Sequence, residues 1–180
     1  LTPYRDSLPA LQRACRRVAY CPFGYHERVE AVRHGEDHYF DVCFYGTPGG
    51  SSRRQDLLRR IARRRLAVGI CGLEAPPATR NGLIGVSRIT LNIGHLPPLG
   101  HASPRVPFLA NNRACCASNT LPDPDGYLAY ATVHGGDDGL VEGCVELIRS
   151  GRWRAAAADA HERFRATSFT RNLEAALDGG

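Results

Sequence analysis

Four short apolar runs, separated by longer segments with helical spacing, constrain the fold of this chain most strongly. Each run is nearly continuous in apolar residues and ends near glycine, a polar cluster or a proline, as buried strands do. The segments between them place apolar residues on one helical face, as Leu57, Leu58 and Ile61 do. This alternation predicts βαβ units, and therefore an α/β fold with a mostly parallel sheet and helices on both faces. The four predicted strands cover residues 41–45, 67–70, 90–93 and 114–117.

Further elements are predicted from local signals along the chain. A short strand is expected at 18–24 and another within 127–134, with irregular chain at 26–38 and loops at 74–82 and 94–104. Asp137 or Asp138 is expected to cap the helix that follows them. The predicted helices cover residues 8–19, 52–65, 83–87, 105–111, 140–149, 153–164 and 168–177.

Length and hydropathy favour a single domain that spans residues 1–180 and crosses no membrane. No apolar run approaches 18 residues, and the first residues lack the apolar core of a signal peptide. The chain begins without Met, so we expect it to be part of a longer protein, with residues 1–20 as the tail of a preceding domain or linker.

All 23 basic residues are arginines and the net charge is +5, which raises the question of a nucleic-acid partner. The absence of Lys and the abundance of Ala and Gly indicate a GC-rich genome. Many of the arginines fall at helical spacing between Arg53 and Arg65, without interleaved aromatic residues that would stack bases. We therefore interpret them as a solvated helix face and expect nucleic acid not to be the partner.

The seven cysteines form no disulfide framework and no zinc motif, because their number is odd and no CxxC occurs. Four of them, Cys43, Cys71, Cys115 and Cys116, lie within the apolar strand-like runs. We expect these to be small buried hydrophobic residues in a reducing cytoplasm.

One candidate anion site follows the first predicted strand, where the chain reads Asp-Val-Cys-Phe-Tyr-Gly46-Thr47-Pro-Gly-Gly. A strand, a glycine-rich turn and a helix start bring backbone N–H groups together, and Arg53 or Arg54 adds a guanidinium. The glycines match neither the GxGxxG nor the P-loop pattern, so an ordinary βα turn remains the alternative.

A second set of polar residues is expected at the same edge of the sheet. Asn92 and His95 follow one predicted strand, Asn119 ends another, and Arg105 opens a helix. The carboxyl ends of parallel strands are where such sheets bind ligands. A cation at a helix start opposes the helix dipole, so the position of Arg105 favours a bound anion. His95 by itself is more typical of a structural or solvent-exposed side chain than of a functional one.

These segments, in this order, resemble the C-terminal domain of GT-B-fold glycosyltransferases, and most closely the bacterial spore-maturation CgeB-like group. The likeness rests on DVCFYG at 41–46, an arginine-led helix, SRITLNI at 87–93, and a helix that opens with Arg105. CPFGY at 21–25 resembles the stretch that precedes this domain in the family, and the resemblance covers residues 18–175.

The resemblance implies a Rossmann-like domain that binds a nucleotide-diphosphate sugar at the carboxyl edge of the sheet, without a metal. Gly46, Thr47, Arg53, Asn92, His95, Arg105 and Asn119 are the donor-binding residues it implies. The acceptor and the catalytic base would belong to an N-terminal domain, so we expect this chain alone to transfer no sugar. We expect Arg105→Ala to weaken binding of a nucleotide diphosphate while leaving the fold intact or slightly more stable, because a cation at a helix start opposes the helix dipole.

Three departures from the family pattern support an alternative function. Asn119 and Phe108 stand where the family carries acidic residues, and Gly94 displaces the expected histidine by one position. A non-catalytic, Rossmann-like nucleotide-binding or assembly module is therefore the second hypothesis, and a nucleic-acid-binding protein the third.

Overall fold

The computed structural model describes residues 1–47, 52–94 and 104–178, and within them it contains one five-stranded sheet. The strand order is β2-β1-β3-β4-β5, and every neighbouring pair is parallel. All four predicted strands are present, so the predicted α/β class is confirmed. The strands are β1 (Phe40–Tyr45), β2 (Val68–Cys71), β3 (Ser87–Asn92), β4 (Cys116–Asn119) and β5 (Thr132–His134).

The chain leaves β1 in one direction to reach the edge strand β2 and then crosses to the other side of β1 to form β3, the middle strand. The register pairs Val42 with Val68 on one side and with Ile89 on the other. In an open parallel sheet, such a reversal leaves a crevice at the carboxyl ends of the two central strands. The order 2-1-3-4-5 is one of the two common orders of doubly wound sheets, and in it the switch point lies between β1 and β3.

Helices cover both faces of the sheet, as predicted. One face packs α2 (Ser52–Arg63) and α5 (Gly136–Ser150) against apolar residues such as Val42, Phe44 and Leu91. The other packs α3 (Pro77–Gly85) and α4 (Arg105–Asn111) around Cys43 and Cys116. In the described residues there are seven helices. They are α1 (Leu8–Ala14), α2 (Ser52–Arg63), α3 (Pro77–Gly85), α4 (Arg105–Asn111), α5 (Gly136–Ser150), α6 (Trp153–Arg165) and α7 (Phe169–Asp178).

The apolar face of α2 shows why this segment forms a packed helix. Leu57, Leu58 and Ile61 are 4% exposed or less, and each contributes about 1.5–3 kcal/mol by burial. Arginines beside this apolar face form ion pairs to α5. Arg53 binds Asp137, Arg60 binds Asp138, and Arg64, just after the helix, binds Glu142. The predicted solvated arginine face is therefore partly an interface between two helices.

Several local predictions were wrong. Residues 18–24 form no strand, and Tyr20 and Tyr25 make only isolated bridges to Thr2 and Ser168. Residues 74–82 were predicted as a loop, but α3 begins at Pro77, where a proline suits the first helical turn because its missing N–H needs no partner. The predicted helix at 83–87 is the end of α3, and Ser87 already belongs to β3.

Two other boundaries also differ from the sequence-based prediction. Helix α1 ends at Ala14, because Cys15 is extended, and only residues 132–134 of the predicted 127–134 strand pair with the sheet. Residues 127–130 form a 3₁₀ turn. Asp137 and Asp138 do not cap α5, whose N-cap is Gly135; they lie in its first turn and bind arginines of α2.

Six of the seven cysteines are buried, including the four predicted to be so, and all seven are free thiols. Burial raises the pKa of the Cys115 and Cys144 thiols to about 12, so these side chains remain protonated hydrophobic residues at neutral pH. Every helix in the described residues is too short or too polar to cross a membrane.

A long segment before the sheet, residues 20–34, lies against α4 and is held by two buried asparagines. Asn111 bonds to the backbone N–H and carbonyl of His26, and Asn112 accepts from the N–H groups of Ala31 and Val32. Asn112 also donates to the Val29 carbonyl at 3.0 Å. This segment thereby becomes one wall of the space beside α4.

Candidate functional site

The carboxyl ends of β1 and β3 are joined by a side chain from α4, Arg105. Its Nη2 donates to the Tyr45 carbonyl at 2.7 Å, and its Nη1 lies 3.3 Å from Asn92 Oδ1. The guanidinium also lies 4.5 Å from the centre of the Tyr45 ring. Helix α4 begins at Arg105, as predicted, and the carbonyl and amide oxygens at the strand ends favour a cation there despite the helix dipole.

Gly46 makes the close approach between β1 and Arg105 possible. Its φ of +140° is a conformation that other residues rarely adopt, and a Cβ at this position would lie 3.3 Å from Arg105 Nη2 and 3.2 Å from the Phe44 ring. Its N–H donates to the Cys71 carbonyl at 2.9 Å. The glycine therefore lets the chain turn directly beneath the guanidinium.

A second arginine, Arg54 of α2, binds the same edge from the opposite face of the sheet. Its Nη2 donates to the Ile93 carbonyl at 2.9 Å, and its Nη1 lies 3.4 Å from the Thr47 carbonyl. It is 8% exposed, and burial together with the nearby charge of Arg105 lowers its pKa. The ring of Phe44 lies between the two cations, 5.6 Å from Arg54 and 5.1 Å from Arg105.

The predicted asparagines lie in a buried network at the ends of β3 and β4. Asn92 donates from Nδ2 to Ser118 Oγ at 3.0 Å, and Asn119 accepts the Gly94 N–H at 3.3 Å. Both are 3% exposed or less. Asn119 thus fixes the chain leaving β3.

The structure brings together Gly46, Thr47, Asn92, Arg105 and Asn119 at the carboxyl edge. Arg53 has a different partner there, because its Nε and Nη2 form a bidentate pair with Asp137 of α5, the Nε distance being 2.8 Å. This carboxylate raises the pKa of Arg53. His95 lies outside the described residues.

Beside Arg105 a cavity of about 750 Å³ opens between α3, α4, the start of α7 and the 20–34 segment. Arg80 of α3 lies over the Phe108 ring at 4.5 Å and 5.7 Å from the Tyr45 ring. Burial raises the Tyr45 pKa to about 12, although Arg105 opposes this shift, so the phenol stays protonated. Two guanidiniums and several aromatic rings therefore share one cavity.

The sequence analysis did not identify Arg80 or the aromatic side chains that line the cavity beside α4. Arg80 fell in the segment assigned to a loop, and only the α3 helix directs it toward Phe108. The Pro76-Pro77 pair was the available signal, because proline is common in the first turn of a helix.

Neither a metal-binding cluster nor a similarity to a known protein assigns a role to this site. The described parts of the chain contain no group of three or more His, Cys, Asp or Glu side chains that would hold a metal ion. No protein-family model matches the sequence, and no curated protein matches it. The site is therefore interpreted from its geometry.

Proposed function

We propose that this domain binds the nucleotide-diphosphate sugar donor of a metal-independent, GT-B-type glycosyltransferase. The observation that carries the proposal is the placement of Arg105 at the crevice between β1 and β3, beside Gly46 and Asn92. Open parallel sheets bind ligands at this crevice. A fixed guanidinium there suits the developing charge of a departing diphosphate.

The charge of the surrounding wall supports an anionic ligand. The described residues that line the adjoining cavity include Arg80 and Arg105, and none of them is Asp or Glu. Charge-assisted hydrogen bonds to phosphate contribute about 1.5–3 kcal/mol each, so one guanidinium accounts for roughly a ten- to hundredfold gain in affinity.

In this proposal, the acceptor and the catalytic base come from a further domain of the parent protein. The free thiols of all seven cysteines are consistent with a reducing, cytoplasmic location. The proposal includes no membrane or nucleic-acid partner.

Calorimetric titration with UDP, GDP, ADP, CDP and dTDP tests this function. We expect at least one diphosphate to bind tenfold more tightly than its nucleoside, and Arg105→Ala to weaken that binding at least tenfold. Arg59→Ala, an exposed arginine on α2, is the matched control and should leave affinity unchanged. Equal affinity for every diphosphate and its nucleoside would reject the proposal.

A non-catalytic binding or assembly module is the second candidate. It is favoured by the engagement of Asn119 with the Gly94 N–H, where the resembling family carries an acid suited to the ribose hydroxyls. Under this alternative, a diphosphate binds but neither the chain nor the full parent protein hydrolyses or transfers a sugar. A turnover assay of the parent protein distinguishes the two functions.

A further inference from the structure

The cavity beside α4 is far larger than a phosphate group and is mainly apolar. Its volume of about 750 Å³ lies within the range of small-molecule sites, and its lining includes five aromatic rings. Leu73, 72% exposed, lies at its mouth. The rings belong to Phe23, Tyr45, Phe108, Phe164 and Phe169.

Two of the neutral polar side chains that line this cavity, Asn111 and His26, already form hydrogen bonds within the protein. Asn111 uses Oδ1 to accept the His26 N–H at 3.0 Å and Nδ2 to donate to the His26 carbonyl at 3.2 Å. His26 in turn accepts the Arg28 N–H at Nδ1. A nucleobase needs amide groups to satisfy its polar edge, so this wall suits a hydrocarbon body better than a base.

On another side of the cavity the polar groups are the guanidiniums of Arg80 and Arg105. Arg80 contacts the Asn81 amide oxygen through Nε and Nη2, both at 3.0 Å, and it forms no ion pair within the described chain. Its guanidinium plane covers Phe108, and Arg105 lies over the neighbouring Tyr45. Within the described residues Arg80 bonds to Asn81 through Nε and Nη2 only, so its Nη1 edge can donate to a phosphate oxygen. Arg105 is held by Tyr45 and Asn92 and adds positive charge beside it.

We propose that this cavity binds an organic phosphate with an apolar body, the phosphate lying between Arg80 and Arg105 and the body among the aromatic rings. The body is an aryl group or a short prenyl-type chain, since both present hydrocarbon surface without polar edges. This site shares Arg105 with the proposed nucleotide crevice, but Arg80 and the aromatic rings select its ligand, so the inference does not depend on the proposed glycosyltransferase function.

The 180-residue chain is titrated with 1-naphthyl phosphate, geranyl phosphate and inorganic phosphate, and with UDP in parallel. We expect naphthyl or geranyl phosphate to bind at least tenfold more tightly than inorganic phosphate, and the tighter of the two identifies the body. If neither does, the inference is overturned, whatever UDP does. If UDP and the other nucleoside diphosphates fail while an organic phosphate binds, only the donor-site proposal is lost.

Two variants locate the binding in this cavity. Arg80→Gln removes the charge and should weaken organic phosphate binding at least tenfold, while Arg59→Gln on the opposite face of the sheet should not change it. Leu73→Asp places a carboxylate at the mouth without touching the core, because Leu73 is 72% exposed, and should weaken binding similarly. Unchanged affinity in both Arg80→Gln and Leu73→Asp would show that the ligand binds elsewhere.

Discussion

Arg105 Nη2 donates a 2.7 Å hydrogen bond to the carbonyl oxygen of Tyr45, so a side chain of α4 binds the end of strand β1 directly. The same guanidinium reaches Asn92 at the end of β3. One side chain therefore spans the crevice where the chain reverses direction across the sheet.

Replacing Arg105 with alanine should lower stability as well as anion binding, whereas the helix dipole alone predicted an intact or slightly more stable fold. The Tyr45 carbonyl and the buried Asn92 amide lose a charged donor, which we expect to cost about 1–3 kcal/mol. Thermal melts should show a fall of roughly 2–10 °C. Arg105→Lys is the informative control, because one ammonium group lacks the planar fork that reaches both acceptors. A melting temperature equal to wild type for Arg105→Ala would show that these bonds add nothing to stability.

Gly46→Ala should destabilise the fold by about 1–3 kcal/mol. Its φ of +140° strains any residue with a Cβ, and the added methyl group meets the Phe44 ring and Arg105. Gly82→Ala in α3 is the matched control, because a Cβ there meets no atom within 4 Å. Alanine also favours the helix, so that variant should gain up to about 1 kcal/mol. Urea unfolding measures both; equal effects in the two variants would contradict the backbone argument.

Asn112→Ala should release the 20–34 segment from α4. This side chain is 3% exposed, accepts from Ala31 and Val32, and donates to Val29 and Phe108. Buried groups left without partners cost about 1–3 kcal/mol each, so we expect a loss of about 2–4 kcal/mol.

Limited proteolysis of the Asn112→Ala variant should show faster cleavage within residues 26–34. Asn172→Ala removes a single bond to the Pro22 carbonyl, and as a control it should cost less than 1 kcal/mol, roughly one neutral hydrogen bond. Wild-type cleavage rates in Asn112→Ala would contradict the tethering role.

Two histidines should make stability fall as the pH is lowered. Burial lowers the pKa of His134 below its usual value of 6.5, and burial with Arg88 and Arg154 does the same for His38. The unfolded chain therefore takes up protons first as the pH drops through about 6.5, and the stabilising contribution disappears as the pH falls through the lowered folded-state pKa values.

The measurement is the free energy of unfolding between pH 8 and pH 5. Over this pH range, the free energy of unfolding of His134→Gln should decrease less than that of the wild type. The double variant His38→Gln/His134→Gln should show a still smaller decrease. A decrease as steep as wild type in the double variant would exclude these two side chains as the source.

The α/β class and the four main strands were predictable because they depend on local pattern. Apolar runs such as Val42–Phe44 must be buried on both faces, and helical segments such as the one around Leu57 and Ile61 must supply the cover. The start of α4 at Arg105 was predictable for the same reason, since proline and spacing specify it within a few residues.

Other local predictions failed where a long-range contact decided the outcome. Residues 18–24 carry a strand-like composition, yet their backbone bonds lie outside the sheet: the Cys21 N–H donates to the Thr2 carbonyl and the Phe23 N–H to the Tyr127 hydroxyl. Arg53 and Arg54 are adjacent in sequence, but helical geometry turns Arg54 toward Ile93 and Arg53 toward Asp137.

The sequence by itself thus determined the layers of this protein, because burial and backbone propensity act over a few residues. Only the tertiary structure decided which arginines meet which oxygens, and it alone brought Arg80 against Phe108 beside Arg105. Such pairings join residues far apart in the chain, and their free energy depends on distance and burial in the folded state rather than on sequence spacing.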